Sequence, residues 1–190
     1  MASRISQSLS RLFGTQADPR EELRPLWHHV IGLSRDEAWY RDCGVADSVS
    51  GRFDMIANVT ALVVLRMEDS TELRRKTAYL IELFVEDMDG QLREFGVGDV
   101  VVGKHVGKLM STLGGRVGAF RKAVHKRAES ALNDVEVGSD DPDAAAATVE
   151  RNTTMADETK ADTLTVRMME LVSTMMATSD EDVLAGRFAL

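Results

Sequence analysis

Four carboxylates crowd one short stretch of the chain: Glu82, Glu86, Asp87 and Asp89. Such a cluster on a helix invites a metal-ion reading. Di-metal centres in helical bundles combine Glu residues with a Glu-x-x-His pattern on facing helices. No His follows a Glu at that spacing here, so no metal centre and no cofactor are expected. Glu86, Asp89 and Arg93 share a helical face instead, with Asp89 and Arg93 at i,i+4. Such a pair stabilises an isolated helix by about 0.2–0.5 kcal/mol. Asp87, Gln91 and Glu94 line the neighbouring face. The plain reading is a solvated or partner-facing surface.

The other reactive residue types do not assemble into a catalytic pattern. His28 and His29 are adjacent and so point to different sides of a helix. His105 and His125 lie among cations, where an imidazole makes a poor general base. No Ser/His/Asp or Cys/His grouping is legible. The lone Cys43 cannot form an internal disulfide and reads as a small buried hydrophobe. The expectation is a non-enzymatic protein.

Residues 100–128 stand apart from this acidic chemistry. They contain no acid, but hold Lys104, Lys108, Arg116, Arg121, Lys122, Lys126 and Arg127. They also hold Gly103, Gly107, Gly114, Gly115 and Gly118. Each glycine costs a helix interior roughly 1 kcal/mol relative to Ala. At about 100° per residue, four of them, Gly103, Gly107, Gly114 and Gly118, fall within an arc of roughly 60°, with Ser111 beside them. Val102, Val106, Leu109, Leu113, Val117, Phe120 and Val124 form an apolar face, and lysines occupy the other flank. Small residues at four-residue spacing let two helix backbones approach closely. The partner backbone is either another helix of the same bundle or a helix of a bound protein. A phosphate-binding loop is not expected, because no strand precedes the glycines and the Gly-Lys-Ser/Thr ending is absent.

The elements that position these residues read as helices throughout. Residues 21–31 carry Leu23, Leu26, Trp27 and Val30 on one side, and a short helix over 35–42 turns Trp39 and Tyr40 inward before Gly44 stops it. Asp47 and Ser48 are turn and cap residues for a helix over 52–68, with Phe53, Ile56, Thr60, Val63, Val64 and Met67 as its stripe. A helix over 72–95 buries Leu73, Leu80, Phe84, Met88, Leu92 and Phe95. Gly96 ends it, and Asp99 caps the basic helix over 100–130. Residues 137–143 read as a loop, Asp143 caps a helix through Arg151, and a last helix over 157–177 buries Leu164, Met168, Leu171, Val172 and Met175. The fold expected is all-α, an irregular bundle of about six to eight helices in one domain over residues 19–190. Residues 1–18 form a flexible or amphipathic lead, with Ile5, Leu9, Leu12 and Phe13 at helical spacing.

Composition agrees with this class. The 190 residues are 44% hydrophobic and 28% charged, with only three prolines, which is globular usage suited to helices. No apolar run approaches the roughly 20 residues that span a bilayer. The Ser-rich start has Arg4 and Arg11 and no acid before Asp18, a pattern compatible with a brief organellar targeting segment. A net charge of −8 argues against general nucleic-acid binding, which depends on neutralising phosphates.

The order DMD, LRE-x-GVGD, VGK-x-V-x-K-x-M and GR between Asp87 and Arg116 resembles the signature of the ubiquinol–cytochrome c chaperone family. The likeness extends upstream to AWYRDCGVADSVSGRFDM over 38–55 and downstream to ERN over 150–152. The positions that match the family's motifs are Arg52, Phe53 and Asp54; Asp87, Met88 and Asp89; Leu92, Arg93, Glu94, Gly96, Gly98 and Asp99; Gly103, Lys104 and Lys108; and Arg116. Of these, the resemblance marks Arg52, Asp54, Asp87, Asp89, Arg93, Glu94, Asp99, Gly103, Lys104, Lys108 and Arg116 as partner-binding candidates. A bulky aromatic, common in the family just before the Gly-Arg pair, is replaced here by Gly114. The resemblance implies an all-helical chaperone for respiratory complex III that handles newly made cytochrome b or an assembly intermediate. Its place of work would be the inner-membrane surface, on the cytoplasmic or mitochondrial matrix side, with no catalytic residue and no DNA partner. The alternative is a peripheral membrane or ribosome adaptor that docks through the basic helix.

Overall fold

The computed structural model describes the backbone of residues 18–94, 102–132 and 144–189, and the side chains of 18–91, 106–124 and 144–189. The expected amphipathic lead, the corner at Gly96 and Asp99, and the loop over 137–143 lie outside the described residues. After a 3₁₀ turn over Pro19–Leu23, the helices are α1 (Arg24–Ser34), α2 (Glu37–Arg41), α3 (Val49–Asp69), α4 (Thr77–Glu94), α5 (Val102–Leu132), α6 (Ala144–Asn152), α7 (Ala161–Ala177) and α8 (Asp180–Leu184). The all-α bundle expected from periodicity is what the chain forms. Its β-structure among the described residues is one isolated bridge, Val45 to Met155.

The axis of the bundle is α3. Ser48 caps it, its side chain accepting from the Gly51 amide. The sequence pattern predicts one apolar stripe on this helix. The structure instead buries every residue from Met55 to Met67, because α1, α4, α5 and α7 all pack against α3. A helix enclosed on all sides must satisfy its polar side chains inside the protein. Thr60 donates to the Ile56 carbonyl at 2.7 Å, and Asn58 and Arg66 reach across to other segments. Leucines such as Leu62, Leu80, Leu113 and Leu164 are fully buried around this axis, each contributing about 1.5–3 kcal/mol relative to exposure.

Two glycines are demanded by close approach. Gly44 has φ 74°, and a Cβ there would lie 2.6 Å from the Asp157 carbonyl oxygen. A Cβ on Gly51 would lie 1.9 Å from the Ala46 carbonyl oxygen. These contacts hold the loop before α3 against the segment after α6, where Ala46 N–H donates to Thr154 O at 2.9 Å.

Helix starts shift by a few residues from expectation, most at α4, and one helix is added. The helix expected from residue 72 begins at Thr77, after a turn and a 3₁₀ segment over Arg74–Lys76. There the Ser70 hydroxyl accepts from the Leu73 amide at 3.2 Å, giving the backbone a local alternative to helix. Helix α8 was not anticipated. Ser179 caps it, followed by Asp180, Glu181 and Asp182 in its first turn, a helix-start signal that short length concealed. No helix among the described residues is long and apolar enough to cross a membrane.

Candidate functional site

The N-terminal half of α3 is where the enclosure opens. A groove of about 610 Å³ lies between α2, α3 and α4, lined by Arg35, Glu37, Tyr40, Asp47, Val49, Arg52, Phe53, Ile56, Met88 and Gln91. Its floor is apolar and its wall is stiffened from behind. Phe53 packs at 6.4 Å between ring centroids on Phe84, which in turn meets Trp27 edge-on at 6.2 Å. Tyr40 is half-buried and donates its hydroxyl to the Ser34 carbonyl at 2.9 Å; burial raises its pKa above the ordinary tyrosine value. Val49, at the mouth, is 69% exposed and extends the apolar floor to the surface.

The rim is charged, and of its charged residues Arg52, Asp47 and Glu37 are paired. Arg52 Nε donates to Asp47 Oδ1 at 2.7 Å, and that bond holds the Asp47 carboxyl below its ordinary pKa. Glu37 pairs with Arg41 at 3.0 Å. An apolar floor inside a charged rim suits an apolar chain segment better than a small charged substrate.

Directly behind the groove sits a buried polar clamp. Arg116, on α5, is 7% exposed and its guanidinium lies 5.9 Å from the Phe53 ring centroid. Its Nη2 donates to Asp54 Oδ1 at 2.6 Å, and its Nη1 to Asn58 Oδ1 at 2.7 Å and to Asn152 O at 2.8 Å. The other Asp54 oxygen, Oδ2, accepts from the Thr154 amide at 2.9 Å and hydroxyl at 2.7 Å. Asn58 Nδ2 donates to Thr153 Oγ1 at 3.0 Å. One arginine thereby ties α3, α5 and the end of α6 together.

The outer face of α5 is the reverse of this. Lys108 and Lys122 are exposed, as is Met110 at 48%. A Cβ on Gly107, Gly114, Gly115 or Gly118 would meet nothing within 4 Å among the described residues. Among the described residues, therefore, no helix packs on these glycines, the first of the two uses their spacing allows.

The candidate residues thus separate. Arg52 lines the groove, and Asp87 and Asp89 lie on α4 beside its Met88. Asp54 and Arg116 meet each other in the clamp, and Lys108 faces outward on α5. Arg93, Glu94, Gly103 and Lys104 belong to helices whose side chains are not described there, and Asp99 lies outside the described residues. Sequence reasoning did not identify Tyr40, Val49, Ile56 or Gln91 as groove residues. An apolar residue directly after a helix cap, as Val49 is after Ser48, was the available signal.

A family model described as ubiquinol-cytochrome C chaperone matches residues 41–190. That span holds the clamp and most of the groove lining. The crystal structure of the Cbp3 homolog from Brucella abortus is similar to the chain at 26% identity, with a TM-score of 0.70 over 94% of this chain and 93% of that one. Comparison with curated proteins finds no match.

Proposed function

Because the chain belongs to the ubiquinol–cytochrome c chaperone family, we propose that it assists complex III assembly by holding an apolar segment of newly made cytochrome b in the groove between α2, α3 and α4. The observation that carries this reading is the apolar floor with Val49 standing 69% exposed at its mouth. Residues 19–190 act as one chaperone domain. Arg52, Asp87, Asp89, Arg93, Glu94 and Asp99 contact the client or its flanks, while Asp54 and Arg116 act by holding the groove wall. The protein is not an enzyme in this reading.

The test is a photocrosslinking residue in place of Val49, with capture of cytochrome b from cells as the expected result. Val49→Asp adds a charge at the groove mouth, and an acid in the first turn of a helix is tolerated. Assembled complex III is expected to fall in this variant with no loss of thermal stability. Normal complex III in a stably folded Val49→Asp strain would sink the proposal.

The open face of α5 supports a second, compatible reading. Exposed Lys108 and Lys122 beside the bare glycine stripe suit docking on an anionic membrane or a ribosome, an attachment that weakens with salt. Charge reversal at Lys104 and Lys108 is expected to release the protein from the membrane or ribosome fraction; unchanged sedimentation refutes this reading.

A further inference from the structure

The polar groups that line the groove between α2, α3 and α4 divide into those already bonded and those that are not. Arg52 donates to Asp47 at 2.7 Å, and Arg41 to Glu37 at 3.0 Å. Asp36, next to Arg35 in the chain, accepts from the Ala38 amide at 2.8 Å and faces Arg167 at 3.8 Å. Tyr40 donates to the carbonyl of Ser34, the residue before Arg35. Arg35 itself is exposed and has no carboxylate partner among the described residues. The half-buried Gln91 amide, on the α4 wall, has no hydrogen bond there either. One charge of the lining is thus left unmatched, and it is positive. Phe53, Ile56 and Met88 supply the apolar floor.

An occupant of such a floor must also satisfy its own backbone. An extended chain brings one N–H and one C=O per residue, and the lining holds too few unbonded polar groups to pair them. The described residues offer no sheet edge to take a strand, since their β-structure is one isolated bridge. A helix closes its backbone hydrogen bonds within itself. It presents apolar anchors at i, i+3, i+4 and i+7, the pattern that an apolar groove takes up.

We propose that the groove takes its client as a helix, apolar on the buried face, with one carboxylate beside that face to meet Arg35. This deepens the client reading above and rests on it for the identity of the client; the chemistry of the occupant stands on the lining. Arg35 thereby discriminates among apolar helices. A carboxylate at that place gains an ion pair, and a cation there meets a like charge.

The test uses the full chain and fluorescein-labelled synthetic peptides of about 16 residues, long enough to hold a helix. Each carries Leu at i, i+3, i+4 and i+7, with one Glu, Gln or Lys just beyond the first or the last Leu. A Glu peptide is expected to bind about three- to fivefold more tightly than its Gln twin, the upper range for an exposed pair, and the gap closes in high salt. Arg35→Glu changes an exposed side chain that holds no ion pair among the described residues. In that variant the order is expected to invert, so that the Lys peptide binds best. A photocrosslinking residue at Val49 is expected to capture the Glu peptide, whereas one at Val166, 54% exposed on α7, is not. Two prolines placed between the anchors are expected to abolish binding. Equal binding of the Glu, Gln and Lys peptides, or an order unmoved by Arg35→Glu, overturns the role of Arg35. Undiminished binding of the proline peptide overturns the helix, and binding of no peptide at all overturns both. If cytochrome b is captured at Val49 in any of these cases, the client reading stands without this inference. A Glu preference that Arg35→Glu inverts, with no cytochrome b captured, keeps the inference and sinks the client reading.

Discussion

The start of α3 and the outer face of α5 both break the ordinary rules of helix composition, and they do so for opposite reasons. Gly51 sits where the Ala46 carbonyl leaves no space for a methyl group. Asp54, three residues on, is caught between Arg116 and Thr154. Both residues are explained by a contact inside the chain. On α5, Gly107 and Gly114 face open space, and no contact among the described residues accounts for them. A costly residue with an internal partner is architecture. A costly residue without one directs attention to something outside the molecule.

The largest expected effect attacks the saturated side. Arg116→Ala strips the counter-charge from Asp54, whose side chain is 13% exposed, and leaves Asn58 Oδ1 and the Asn152 carbonyl without that donor. Breaking a buried pair from one side costs about 3–5 kcal/mol. Urea unfolding should show a loss of that size; a loss under about 1 kcal/mol, the value of a surface pair, would mean that the clamp is as wet as a surface contact.

Gly51→Ala comes next. The added methyl must push backbone rather than a flexible side chain, an overpacking cost of about 1–3 kcal/mol. Moving the loop before α3 also disturbs the groove mouth, since Asp47 and Val49 belong to it. Denaturation measures the first effect, and the Val49 crosslink to cytochrome b measures the second. A Gly51→Ala protein of unchanged stability would contradict the close approach.

The contrast between these regions was only partly legible in the sequence. Helix periodicity carried the bundle, because apolar stripes such as Leu164, Met168, Leu171 and Met175 on α7 need only one neighbour to make sense. It underestimated α3, where Asn58 and Arg66 fall outside the expected stripe and are nonetheless buried. Their partners lie up to 114 residues away, and pairings at that distance leave no mark in local pattern. Arg116 and Asp54 were marked by family resemblance alone, which identified them as important without showing that they meet. The groove was the least legible part. Its floor uses the same residue types as the core, and only the arrangement of three helices leaves Phe53 and Ile56 an open side.

The far end of α3 offers a smaller, pH-dependent comparison. Arg66 is 6% exposed and donates to the Met175 and Thr178 carbonyls and to Asp180 Oδ1. Asp180 also accepts from the Ser70 hydroxyl. The Ser70 and Arg66 hydrogen bonds hold its carboxyl below the ordinary aspartate value. A depressed folded pKa adds stability that is present above about pH 3.8 and is lost as the pH falls through the folded value. With its side chain 38% exposed, Asp180 is expected to contribute at most about 1 kcal/mol. Asp180→Asn should therefore destabilise slightly at neutral pH and converge on the parent protein in acid. A difference that persists at pH 2 would assign the effect to geometry rather than charge.

The smallest effect has the opposite sign. Gly114→Ala and Gly107→Ala place a methyl where nothing stands within 4 Å among the described residues. Each should stabilise the protein by about 0.5–1 kcal/mol, the helix preference of Ala over Gly, seen as a rise in melting temperature. Gly51→Ala, the same chemical change at the start of α3, should lower it. The informative measurement is complex III assembly in the stabilised double variant. If a partner backbone lies flush on α5, two methyl groups hold it off, and assembly falls although the chaperone is more stable. If assembly stays normal, close contact along this face is unnecessary, and the exposed lysines alone must account for any docking there. Stability and function moving in opposite directions is an outcome that packing inside the bundle cannot produce.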